Sequence, residues 1–233
     1  MPGTGSMPNK TDYTLIRARR KSVAIYVRDS GVSVRAPLCM PRRDIDALVA
    51  SKGEWIADKL AALGEQAARR RAFALRYGDL VLFRGAEYPL TARAGTRVGF
   101  DGACFYFPLG LTPAEIKSLL VRLYRRLAKL HLTERTARFA AHMNVAPTAV
   151  GITAAKTRWG SCSAQRRLNF SWRLALADDA VIDYVVVHEL AHITEMNHSA
   201  RFWAIVAGVL PDYRERRARL AVLQKRLGAE NWE

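Results

Sequence analysis

The chain has 233 residues, half of them hydrophobic and a quarter charged, enough for one large domain or two small ones with a real core. Its cysteines, Cys39, Cys104 and Cys162, are scattered and odd in number with no C-x-x-C pair, which argues against a disulfide framework and fits a reducing cytoplasm. No apolar run approaches the ~20 residues needed to span a bilayer. The net charge of +16, from 37 Lys+Arg against 21 Asp+Glu, attracts polyanions, nucleic acid before anionic membrane. The same excess also serves as a solvated surface, and no nucleic-acid motif accompanies the arginine clusters at 17–21, 69–71, 122–126 and 214–219.

Residues 1–10 are rich in Gly, Pro and Ser and lack an apolar signal core, so a disordered tail is expected there. Residues 22–27 alternate, Asp29-Ser30-Gly31 forms a turn, and 32–36 alternate again, which predicts a hairpin. Pro41 opens a helix in which Ile45, Leu48, Val49, Ile56 and Leu60 recur at helical spacing to about residue 63. The charged stretch 65–71 reads as a linker or a continuation. Strands are expected over 79–84, 87–92 and 104–107, the last after a turn at Asp101-Gly102. Thr112 as N-cap and Pro113 at the first helical position start a long helix to about Met143. Strands over 149–155 and 168–173 follow. Asp178 or Asp179 then caps a helix that is apolar nearly all round over 180–187 apart from Asp183, and therefore buried. This order predicts an α+β protein: a tail at 1–10, a β-rich region at 11–110, and a second region at 111–233 around the buried helix.

That helix carries His188-Glu189-Leu190-Ala191-His192, with His198 six residues beyond, so three of the five histidines fall within eleven residues. On a helix, two residues four apart share a face and rise by about 6 Å. One Zn²⁺ can sit between two such imidazoles, with the intervening Glu within reach of a water on the metal. Polar groups in a buried helix also need partners, and a metal supplies one. A helix with two satisfied core histidines is the plain alternative.

A catalytic zinc site takes three protein ligands and keeps an open position. Glu195 lies seven residues after His188 on the same face, but a straight helix carries it about 10 Å above His188. His198 would point away from His192 on a continuing helix. A break solves this: Asn197 tolerates the left-handed conformation that ends helices, and Ser199 can cap a new helix with a stripe of Phe202, Trp203, Val206 and Leu210. We favour His198 as the third ligand, leaving Glu195 as a carboxylate beside the ligands or on the surface.

With three neutral imidazoles the ion's charge stays uncompensated, and a bound water is acidified towards a pKa of ~7. Glu189 takes its proton as general base and passes it to the leaving amine. A nearby donor helps the metal stabilise the oxyanion; Arg158 and Tyr213 are the candidates. In the stretch Arg158-Trp159-Gly160-Ser161-Cys162-Ser163, Gly160 marks a tight turn or a close backbone approach. Cys162 reads as a buried small hydrophobe rather than a nucleophile, and Trp159 as packing.

The segments Thr157-Arg158-Trp159-Gly160-Ser161-Cys162-Ser163, Leu168-Asn169-Phe170, 184–192, Asn197-His198-Ser199 and Phe202-Trp203 resemble the YgjP-like predicted metal-dependent hydrolases. The resemblance runs from about residue 22 to 220. It implies a zincin-like metallopeptidase core, one zinc held by His188, His192 and His198, and Glu189 as catalytic base. The H-E-x-x-H-x5-H spacing also looks like the SprT/Spartan-type proteases, which cut proteins crosslinked to DNA. The leading expectation is thus a cytoplasmic zinc-dependent peptidase. The alternatives are a nucleic-acid-associated protein whose proteolysis is directed at DNA-bound proteins, and a non-catalytic metal site closed by a fourth ligand such as Glu195 or Cys162.

Overall fold

The computed structural model describes residues 12–232; the tail expected at 1–10 lies outside the described residues. The described chain forms two compact units, one of residues 12–73 with 229–231, the other of 74–228 with 232.

The first unit is a three-stranded sheet with two helices. Strands β1 (Thr14–Ala18), β2 (Ala24–Arg28) and β3 (Gly31–Pro37) lie in the order β1-β3-β2. The expected hairpin is β2–β3, antiparallel with Val27 opposite Val32 and Arg28 opposite Gly31. β1, which lacks alternation and was not expected, runs parallel to β3. Val32, Val34 and Ala36 point inward from β3 at the period of two that a strand imposes. They meet Ile45 and Val49 of α1 (Arg42–Ser51) and Ile56 of α2 (Gly53–Ala72). The single helix expected to residue 63 is thus two helices, broken at Lys52, and α2 absorbs the charged stretch 65–71 as a continuation. Leu60, placed on the apolar stripe by spacing, is 40% exposed, because the break rotates the stripe.

In the second unit, β4 (Leu80–Phe83), β5 (Ala86–Arg93), β6 (Gly99–Phe100) and β7 (Phe105–Pro108) form a sheet ordered β4-β5-β7-β6. The long helix α3 (Pro113–His142) begins as expected. Thr112 accepts from the Glu115 amide and the Glu115 carboxylate accepts from the Thr112 amide, a capping box with Pro113 in the first turn. A second sheet, ordered β8-β10-β9, contains β8 (Ala149–Thr153), β9 (Gly160–Cys162) and β10 (Arg167–Ser171), with β10 parallel to β8 and antiparallel to β9. β10 runs into a 3₁₀ turn at Trp172–Leu176, two residues before the end of the strand expected there. Helices α4 (Asp179–Ala191), α5 (Ala200–Val209) and α6 (Tyr213–Leu227) complete the unit.

The division expected at residue 110 falls instead after Phe73, and aromatic packing is the reason. Phe83 of β4 and Phe105 of β7 meet edge to face at 5.6 Å, Phe105 meets Tyr124 of α3 at 5.4 Å, and Tyr124 stacks on Trp172 at 5.7 Å. The first sheet of this unit therefore shares one core with α3 and the 3₁₀ turn. The Tyr124 hydroxyl donates to the Leu82 carbonyl at 2.8 Å, so the core leaves that polar atom satisfied.

α4 is buried from Val181 to Ala191 apart from the half-buried His188. Its start is held by charge. Asp178 is the N-cap, accepting from the Val181 amide at 3.1 Å, and it also pairs with Arg219 of α6 at 2.7 Å. Asp179 accepts from Arg84 at 3.0 Å and faces His131 of α3 at 3.1 Å. Asp183 receives the Arg135 guanidinium through two bonds, with Nε at 2.6 Å. Part of the arginine excess is thus used internally, and Arg216 and Arg226 are likewise paired with Asp212 and Glu87. Among the described residues no helix is long and apolar enough to cross a membrane.

Candidate metal centre

α4 ends at Ala191, and His192 retains helical angles (φ −65°, ψ −16°) as its C-cap. The Ile193 and Thr194 amides close the end through bonds to the Leu190 and Ala191 carbonyls. The break therefore comes five residues before the place where Asn197 was expected to make it. Asn197 is not among the residues with positive φ, so the left-handed turn expected there does not form. The outcome for His198 is the one the break was needed for. Ser199 caps α5 by accepting from the Phe202 amide at 3.2 Å, and His198 enters from the connecting loop rather than from the helix.

The three imidazoles meet. Ring centroids lie 5.0 Å apart for His188–His192, 5.0 Å for His188–His198 and 4.8 Å for His192–His198. Their ligating nitrogens lie within 4.8 Å of one another, and His188 Nε2 is 3.1 Å from His198 Nε2. Tetrahedral zinc with bonds of about 2.0–2.1 Å separates its ligand nitrogens by roughly 3.3 Å. His192 Nδ1 faces the Glu195 carbonyl at 3.1 Å; donation there leaves Nε2 with its lone pair free for the cluster.

Burial, and then the neighbouring His192, His198 and Arg217, press His188 down to about 3, so the ring is neutral at ordinary pH. Burial likewise lowers His192. His188 Nδ1 is buried with no hydrogen-bond partner among the described residues. A neutral imidazole with one nitrogen against another imidazole and the other unsatisfied is costly in an apolar helix. These donors fit a divalent ion of the zinc type, and among the described residues no fourth His, Cys, Asp or Glu joins the cluster.

Glu189 is 6% exposed, and burial pushes its carboxyl up to about 7, against the opposing charge of Arg158. Gly160 explains how β9 passes over it. A Cβ on Gly160 would stand 2.5–2.7 Å from the Glu189 carboxyl and Cγ atoms. The close backbone approach read from Gly160 is therefore real, and the tight turn offered beside it is not, since Gly160 opens a strand.

The other candidates separate. Arg158, in the loop before β9, is exposed and its charge reaches Glu189. Tyr213 is buried and stacks on Trp203 at 5.3 Å, and its hydroxyl accepts from Arg214 at 3.3 Å. Glu195 contributes its backbone carbonyl to His192, and its carboxylate is outside the histidine cluster. Cys162 lies on β9 and is also outside it; burial and the Glu189 charge raise its thiol above the usual range.

Sequence reasoning gave Trp203 a place on an apolar stripe and in the family resemblance, but no role at the site. Its ring stacks on His198 (5.8 Å, 23°) and on Tyr213 (18°), so α5 and α6 brace the one ligand that comes from a loop. Phe202 fills the space beneath all three histidines, at 4.9, 4.5 and 4.8 Å from their ring centroids. The place of Trp203 on the helix capped by Ser199 was readable; its stacks on His198 and Tyr213 needed the third dimension.

Comparison with known proteins gives the class: the chain carries a metallopeptidase domain, and it is a metal-dependent peptidase. It belongs to the YgjP-like family, whose metallopeptidase-domain model matches residues 21–222. Among solved structures it is similar to the metallopeptidase zymogen of Pyrococcus abyssi abylysin, at 19% identity over 43% of this chain and 97% of that one, with a TM-score of 0.38. It is also similar to the zymogen of Methanocaldococcus jannaschii jannalysin, at 19% identity over 40% of this chain and 95% of that one, with a TM-score of 0.35. No curated protein sequence matches.

Proposed function

We propose that the chain is a zinc-dependent peptidase with His188, His192 and His198 as metal ligands and Glu189 as general base. The observation that carries this reading is the convergence of three imidazoles, with His188 held neutral, beside a buried carboxyl of raised proton affinity. A bound zinc ion supplies Lewis acidity, which acidifies water and polarises a carbonyl. Glu189 follows His188 directly on α4 and lies under β9, where it receives a proton from the attacking water and returns it to the leaving amine. Its raised proton affinity suits both halves of that transfer. Arg158 holds positive charge beside Glu189 and is the donor we assign to the developing oxyanion. Tyr213, packed flat on Trp203 with its hydroxyl bonded to Arg214, serves as a support for His198 instead.

The test is elemental analysis and peptide hydrolysis on protein purified without chelator or affinity metal. Wild type is expected to carry one zinc per chain and to cleave casein-derived peptides. Glu189→Gln is expected to keep the zinc and to lose about 10²–10⁴-fold in kcat, the worth of a positioned general base. Metal-free wild type, or unimpaired hydrolysis by a clean Glu189→Gln preparation, would overturn the proposal.

A further inference from the structure

Most arginines of α6 have internal partners. Arg216 is paired with Asp212 at 2.9 Å and donates to the Ala180 carbonyl, Arg219 is paired with Asp178, Arg226 with Glu87, and Arg214 donates to the Tyr213 hydroxyl. Arg217 differs from them. It is exposed, and among the described residues it has no ion-pair partner. Its guanidinium carbon lies 5.6 Å from the ring centroid of Trp203, the ring that stacks on His198 and lies 5.8 Å from His188. Tyr213 and Arg217 are four residues apart on α6, so one face of that helix presents both to Trp203.

Arg158, in the loop before β9, stands in the same condition: exposed, without an acidic partner in any ion pair among the described residues, and close enough for its charge to bear on Glu189. Two exposed guanidiniums from two separate elements, neither in an ion pair among the described residues, therefore bring positive charge to α4, Arg217 towards His188 and Arg158 towards Glu189. The acid the site does contain, Glu189, is buried beneath β9 and forms no ion pair with either guanidinium among the described residues, although the Arg158 charge reaches it. A field of one sign around a reacting centre selects the substrate that neutralises it, and a guanidinium fork is matched in shape by a carboxylate.

We propose that Arg217, aided by Arg158, is a specificity determinant that selects peptides bearing a carboxylate close to the bond placed over the histidine cluster. The carboxylate comes from an internal Asp or Glu side chain or from the peptide's own C-terminus. The choice of substrate class rests on the peptidase reading above, while the carboxylate preference itself is a property of binding.

The experiment measures binding apart from turnover. Zinc-loaded full-length Glu189→Gln protein is titrated, by fluorescence anisotropy at low salt, with N-terminally labelled hexapeptides carrying Glu, Gln or Lys at a central position. Each is made with an amidated and with a free C-terminus. The Glu peptide is expected to bind roughly tenfold to a hundredfold more tightly than the amidated Gln peptide, the range of a charge-assisted hydrogen bond, and the Lys peptide more weakly than either. Adding Arg217→Gln is expected to remove most of the preference, Arg217→Glu to reverse it, and Arg217→Lys, which keeps the charge but loses the fork, to retain only part of it. Arg125→Glu, the same charge reversal on α3, is expected to leave it in place. A gain confined to free C-termini identifies the terminal carboxylate as the recognised group. Equal affinity for the Glu and Gln peptides and for both termini, absence of binding to any of them, or a preference that falls equally in Arg125→Glu and Arg217→Glu overturns the proposal. If the preference holds but zinc-loaded wild type cleaves none of these peptides, the peptidase reading fails and the carboxylate site stands.

Discussion

The second unit contains two aromatic assemblies built to opposite rules. Around Tyr124, the rings of Phe83, Phe105, Trp172 and Trp232 meet at 5.4–6.1 Å, and the Tyr124 hydroxyl has its acceptor. Around His188, the rings of His192, His198, Phe202 and Trp203 are as close, at 4.9–5.8 Å, yet His188 Nδ1 has no partner and two imidazole nitrogens face each other at 3.1 Å. Ring packing is equally dense in both. The difference lies in polar satisfaction, and it teaches where stability was given up: the Tyr124 assembly pairs its one hydroxyl, whereas the histidine cluster leaves nitrogens directed at one another, as a centre built for a guest would.

The comparison is broken most sharply at His198. Replacing it with Ala removes one of three converging nitrogens and is expected to weaken zinc affinity by more than about a hundredfold, since loss of a mere outer-shell partner costs 10–100-fold. Thermal unfolding of the chelated variant is expected to resemble that of chelated wild type, and competition with a chromogenic chelator measures the affinity. Trp172→Ala is the opposite case. It empties a site that is 1% exposed in the satisfied core and is expected to cost about 3–5 kcal/mol by denaturant titration, with zinc stoichiometry unchanged in the fraction that remains folded.

A smaller change probes the roof of the site. Gly160→Ala puts a methyl group onto the Glu189 carboxyl, so either β9 or the base must move. We expect kcat to fall about tenfold or more at unchanged zinc content, because small displacements of positioned groups are expensive in rate. The smallest effect is electrostatic. In metal-free protein the Glu189 carboxyl is pushed up to about 7, and Arg158 opposes that shift. Arg158→Ala therefore moves the midpoint further up, which ¹³C NMR of labelled glutamate can follow. Because only the ionised carboxyl accepts a proton, kcat/KM rises with pH through this titration. A bound cation favours the ionised form, so the acid limb of the loaded enzyme lies below pH 7.

Much of this was legible in the sequence where local rules decide. The β2–β3 hairpin, the Thr112–Glu115 capping box, the Asp178 cap and the Ser199 cap each need only a few neighbouring residues. The shared face of His188 and His192 follows from helical period alone. What escaped was non-local. β1 and β9 are short strands defined by their partners, the break at Lys52 is marked only by Gly53 inside an otherwise continuous helical spacing, and the end of α4 came without the left-handed Asn197. The domain division was misjudged because the aromatic bridge from β4 and β7 to Trp172 joins residues about ninety positions apart. The bracing of His198 by Trp203 and Tyr213 was hidden for the same reason.

The turn between β4 and β5 bears on all of this from a distance. Arg84 and Gly85 both have positive φ, at 48° and 77°, as a two-residue hairpin turn demands. Their amides donate to the Ala175 and Leu176 carbonyls at 2.8 and 3.2 Å, and a Cβ on Gly85 would lie 2.6 Å from that of Asp178. The hairpin tip is therefore wedged beneath the first turn of the helix that carries His188. If opening of the tip also loosens the start of α4, a cation bound by the histidines at the far end of that helix is expected, by thermodynamic linkage, to slow deuterium uptake at Arg84 and Gly85. An inherited change in this turn would then read, in a cell short of the metal, as a defect in metal retention rather than as a defect in folding.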